Sequence, residues 1–158
     1  MSLADIRTAM KTMLEAITPS IGSVHEYERW TIDPATFLLA FKDPITGVIR
    51  AWMITRESTE EEILDVGGLT GNNLRRHQML IKGYWGLQDP TGSEKSFQDA
   101  VERICTTFRP DATTTPLAPY VVGVSGPPQV RTVGHVQLGE ILCHYTEIVF
   151  QAVELTVR

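Results

Sequence analysis

Apolar positions near the start of the chain step by three and four: Leu3, Ile6, Met10, Met13, Leu14 and Ile17. At the helical repeat these side chains share one face, so the spacing predicts an amphipathic helix. Ser2 supplies an N-cap, Asp5 sits three residues on near the positive helix end, and Pro19 and Gly22 close the segment. Asp33-Pro34 repeats the start signal and predicts a short helix over Pro34–Phe41, with Phe37, Leu38 and Phe41 inward. A third helical pattern runs from Ser93 to Phe108, where Phe97, Val101, Ile104, Cys105 and Phe108 line one side before Arg109-Pro110 ends it.

Between the helices the period shortens. In VIRAWMITR, residues 48–56, Val48, Trp52 and Ile54 alternate with Ile49, Ala51 and Met53, and apolar groups on both faces predict an inner strand. Asp43-Pro44 and Thr46-Gly47 form the turn before it. Residues 76–87, RHQMLIKGYWGL, form a second strand in which Gly83 and Gly86 invite a bulge or a close backbone approach. The segment SVHEYERW, residues 23–30, reads as an irregular strand or an ordered loop. Ser58 to Asn73 opens with STEEE, closes with GGLTGNN, and reads as a mobile loop with one helical turn at most.

After the prolines of residues 111–128, which enclose a short strand candidate at Tyr120–Val124, Gln129–Leu138 and Ile141–Val157 form a strand pair around Gly139-Glu140. The last run, 17 residues, exceeds the usual strand of about 3–10, so it either bends across a sheet or projects. The order predicts one α+β domain over residues 1–158, with a mainly antiparallel sheet, two longer helices packed on one face and one short extra helix.

Composition narrows the class. A chain of 158 residues, 42% apolar and 21% charged, suffices for a single core. Absence of an apolar run near 18 residues, and of an apolar leader, predicts a protein made and used in cytoplasm without a membrane span. The net charge of −5 is spread evenly with no Lys/Arg cluster, which argues against nucleic acid as a tight ligand. Cys105 and Cys143 lack metal-ligand spacing and read as small buried apolar residues.

The search for chemistry yields no catalytic, cofactor-binding or metal residue. His25, His77, His135 and His144 show no metal spacing. His25, Glu26, Glu28 and Arg29 are sequence neighbours without a converging pattern, and Cys143 and His144, adjacent on a strand, point to opposite faces. GVSGPP and GGLTGNN lack the strand, loop and helix context of a phosphate site. Two groups stand out as protein-interface candidates. Tyr27, Arg29 and Trp30 are residue types enriched in hot spots, and Arg75, Arg76 and His77 follow a glycine-rich segment. Arginine exceeds lysine by 10 to 4, which favours forked, oriented contacts.

The N-terminal helix, VHEYERW, VIRAWMITR, RHQMLIKGYWGL, the helix SFQDAVERICTTFRP and the closing VQLGEILCHYTEIVFQAVEL together resemble the tail terminator or tail-completion proteins of tailed bacteriophages, which sit at the head–tail junction. The resemblance implies a non-enzymatic structural protein of the virion tail or neck, assembled in the host cytoplasm without a cofactor. It implies a homo-oligomeric ring, expected to be a hexamer, that caps the tail tube, stops its growth and meets the head connector. Its partners would be further copies of itself, tail-tube protein and connector protein, while DNA passes through the lumen without specific binding. Alternatives are another neck or tail-tube subunit, a small cytoplasmic enzyme with an unrecognised pocket, and an adaptor.

Overall fold

In the computed structural model, which describes residues 2–29, 33–64, 72–110, 116–117, 123–124 and 126–157, the first helix, α1, spans Leu3–Glu15. Its start is a capping box: the Ser2 hydroxyl accepts from the Asp5 N–H, and the Ser2 N–H donates to the Asp5 carboxylate at 2.8 Å. Ile6, Met10 and Leu14 are fully buried along the predicted face, each contributing about 1.5–3 kcal/mol. The second helix, α2, spans Pro34–Phe41 behind its Asp33 cap, and the third, α3, spans Ser93–Thr107 after a 3-10 turn at Asp89–Thr91.

Six strands form one sheet: β1 (Ser23–His25), β2 (Arg50–Ile63), β3 (Asn72–Gly86), β4 (Gly123–Val124), β5 (Gln129–Leu138) and β6 (Ile141–Val157). Their order is β1-β2-β3-β6, with β4 and β5 both lying along the far side of β6. Every pair is antiparallel except β1 with β2. The fold is α+β as the sequence predicts, with α1 and α3 sharing one face and α2 on the other. The unusual length of β6 has a simple cause: β3 pairs with it from Gly86↔Cys143 to Asn72↔Val157.

The larger core lies between the sheet and the two longer helices. Trp52 is at its centre, stacked on Phe97, with its indole N–H donating to the Ile21 carbonyl at 2.8 Å. Gly83 lies opposite Trp52 across the β2–β3 ladder, and its missing side chain makes room for the indole ring. This is the close approach the sequence allows for; the β3 ladder has no bulge there. A smaller core on the second face joins Phe41, Ile49, Ala51, Met53 and Cys143.

The expected loop over Ser58–Asn73 is corrected: residues 58–63 continue β2, 72–73 begin β3, and residues 65–71 lie outside the described residues. The acidic run is held as a strand by partners supplied from β3. Arg76 contacts Glu62 at 2.8 Å, Asn73 donates to Glu61 at 2.7 Å, and Arg75 Nε lies 3.7 Å from Glu61. Opposite charges facing each other across a ladder stabilise pairing that a solitary acidic run would not.

Candidate functional site

The helix-side core ends at Ile54, Met79 and Ala152, and beyond it the same sheet face turns polar. Alternation along β3 places Arg75 and His77 on that face, and register places Thr59 opposite His77 and Glu154 opposite Arg75. The His77 Nε2–H donates to Glu154 at 2.9 Å, which leaves Nδ1 to accept from the Thr59 hydroxyl, also at 2.9 Å. Arg75 Nη1 lies 3.6 Å from the same Glu154 oxygen. Hydroxyl, imidazole and carboxylate thus stand in the order of a nucleophile, a base and its orienting acid.

Access decides what that order can do. His77 is 0% exposed and Glu154 2%, so neither side chain meets solvent. Thr59 is half-buried, whereas the His77 ring has both nitrogens occupied and ties β2, β3 and β6 together. The expected interface residue His77 is therefore committed to its own chain. Arg75 and Arg76 lie on a strand, not on a loop, and both are partly occupied by ion pairs within the sheet.

The other histidines form no acid–base pair. His144 accepts from or donates to the Ser93 hydroxyl at 3.0 Å, and Ser93 also caps the Gln88 N–H; burial, then the neighbouring His135, holds the His144 pKa below the ordinary value. Cys143 points away into the second core, so the two adjacent residues do occupy opposite faces. The His25 ring N–H donates to the Ala40 carbonyl at 2.8 Å, tying β1 to α2, and desolvation lowers its pKa. Burial pushes the Cys143 thiol up to about 11 and raises Cys105 as well, so both are inert packing groups. Among the described residues no cluster of His, Cys, Asp and Glu is arranged to hold a metal ion.

Of the Tyr27, Arg29 and Trp30 group, Trp30 lies outside the described residues. Tyr27 is 55% exposed and carries the Arg29 guanidinium 5.5 Å from its ring centre. Arg29 borders a cleft of about 310 Å³ between α2 and the β5–β6 turn, lined by Phe37, Met53, Tyr84 and Leu138. Its neighbour Glu28 pairs with Lys82 at 2.8 Å. Sequence reasoning found these residues by type but could not place them beside a cleft.

The features missed altogether are strand edges. β1 pairs with β2 only over Ala51–Met53, so among the described residues the outer edge of β2 is open from Ile54 to Ile63. At the opposite side of the sheet β5 pairs, among the described residues, only with β6, and Val130 and Val133 stand exposed along it. Each edge strand carries one bulge, between Arg56 and Ser58 and between Val130 and Thr132. The bulged residues Glu57 and Arg131 contact each other at 2.6 Å beside a cleft that Gln78 and Val149 also line. No helix among the described residues is long and apolar enough to cross a membrane. Searches against family models and against curated proteins return no match for this chain.

Proposed function

We propose that this chain is a non-enzymatic structural subunit of a phage virion that forms a homo-oligomeric ring on the tail tube, ends its polymerisation and meets the head connector. The observation that carries the reading is the division of labour over the surface. His77, Glu154, Ser93 and His144 are spent on internal contacts, while two long strand edges at opposite sides of the sheet are open among the described residues. Edges of that length are a liability in a monomer and a resource in an assembly. The sequence resemblance supplies the identity of the assembly. The exposed acidic residues of the β2 arm, Glu57 and Glu60–Glu62, would repel a DNA backbone passing nearby.

The test is addition of the purified chain to polymerising tail-tube protein, followed by electron microscopy. Tubes that stop growing and carry one terminal ring are expected. Absence of binding to tube protein overturns the proposal, and long tubes formed by this chain alone make it a tube subunit instead. A second reading, a small hydrolase, draws on the Thr59–His77–Glu154 order alone. Labelling of Thr59 by an organophosphate, lost in Thr59→Val, would favour it over the structural role.

A further inference from the structure

We infer that the open edge of β5 pairs with the open outer edge of β2 in a second copy of this chain, as an antiparallel extension of the sheet. This names the self-contact within the assembly reading above, and rests on that reading only for closure into a ring. In this sheet β5 and β3 are both antiparallel to β6, and β2 is antiparallel to β3. β5 and β2 therefore run in opposite senses, and a neighbour's β2 set beside β5 continues the alternation. The contact is heterologous, one edge against a different edge, which propagates around a ring.

Charge selects this pairing over its rivals. Between its bulge and its end the β2 edge carries Glu60, Glu61 and Glu62, whereas β5 has no acidic residue and contributes His135, its Arg131 being paired with Glu57 of the same chain. Two β2 edges would bring acid against acid, which destabilises cross-strand pairs. Faces and bulges then narrow the register. Thr59, Glu61 and Ile63 point to the helix side of β2, as Val133 and His135 do on β5. Past each bulge the facing changes, so the usable stretches are 58–63 and 132–138. A face-matched antiparallel register within them sets Val133 opposite Ile63 and His135 opposite Glu61. Val133 is 57% exposed and Ile63 64%, so the register covers two β-branched side chains that the monomer leaves in water.

Cysteines placed at 63 and 133 test the pairing, since directly opposed strand residues lie close enough to cross-link. The Ile63→Cys/Val133→Cys chain, concentrated to the millimolar range and oxidised, is expected to give a covalent ladder of oligomers. Neither single variant should do so, and the native Cys105 and Cys143 are buried and serve as the background control. A second pair of variants reads the same contact without cysteine: Val133→Asp should weaken self-association about tenfold, and adding Ile63→Lys should restore it. Both positions are exposed, so circular dichroism should match the parent chain. Oligomers without the ladder overturn the edge pairing and leave the assembly reading intact. A covalent dimer from Val133→Cys alone replaces the pairing with a β5–β5 contact. A chain that stays monomeric throughout overturns it for the free protein, while failure to bind tube protein in the separate experiment above overturns the tail reading.

Discussion

Gly83→Ala is the sharpest probe of the core. A methyl group built on Gly83 would lie 2.3 Å from Trp52 Cζ3, 2.7 Å from Cε3 and 2.8 Å from Cη2. The indole cannot swing aside at low cost, because it is fully buried, stacks on Phe97 and donates its N–H to Ile21. Overpacking costs about 1–3 kcal/mol, and a displaced indole that loses its buried acceptor adds about 1–3 kcal/mol. Replacing glycine in a strand returns about 0.5–1 kcal/mol. The net loss is about 2–4 kcal/mol, which for a chain of this size lowers Tm by roughly 6–12 °C. Urea denaturation of a double-mutant cycle checks the cause. In a Trp52→Leu background, where the ring is gone, Gly83→Ala should cost less than about 1 kcal/mol, giving a coupling near 2 kcal/mol. An equal loss in both backgrounds would refute the steric account and assign the effect to the β3 backbone.

Three further expectations follow from the buried groups. Neither Cys105 nor Cys143 should react with a thiol reagent in the native state at mildly alkaline pH, and both should react in denaturant; rapid native labelling would contradict their burial. Glu154→Ala strips a buried partner from His77 and Arg75 and should cost about 3–5 kcal/mol, of which His77→Phe with Glu154→Leu recovers at least half; no recovery would mean the pair is valued for more than mutual satisfaction. The folded-state pKa values of His25 and His144 lie below 6.5, both chiefly through desolvation, so the unfolded chain takes up protons first as pH falls. Stability is accordingly full above 6.5 and declines in the acid range below it, and His144→Asn should flatten that decline in urea midpoints compared at neutral and acidic pH.

The sequence made local features legible wherever the determining residues lie within a few positions of one another. Ser2 with Asp5, Asp33-Pro34 and the apolar spacing of Phe97, Val101 and Ile104 each carry their own element, and the first two helices begin where their caps stand. The arm from Ser58 to Ile63 was not legible, because Glu60–Glu62 read as solvated loop until Asn73, Arg75 and Arg76 are known to face them. His77 and Glu154 are separated by 77 positions, and only the β3–β6 register brings them together. A weak signal did exist: Glu154 is a charged residue within the largely apolar run of residues 148–157. The parallel placement of β1 left no trace in its three residues, since direction shows only in the register against β2.

The two halves of the sheet are stabilised by different physics, and that difference bears on assembly. From Arg50 to Ile54 the β2–β3 ladder is fixed by a dry core around Trp52. From Thr59 outward the apolar contribution is replaced by ion pairs whose acidic members, Glu61 and Glu62, are about half exposed, and such pairs contribute at most about 1 kcal/mol each. The His77–Glu154 contact is the last fully buried anchor; beyond it the backbone ladder and screened charges must hold the arm, with Ile63 left in water. An arm of this kind gains little from its own chain and much from a neighbour that covers Ile63 and pairs its free edge. Order in the outer strand and contact between copies are then linked quantities. Amide exchange in residues 58–63 should slow as the protein is concentrated, while exchange around Trp52 stays unchanged; uniform slowing, or none, would separate the arm from the contact.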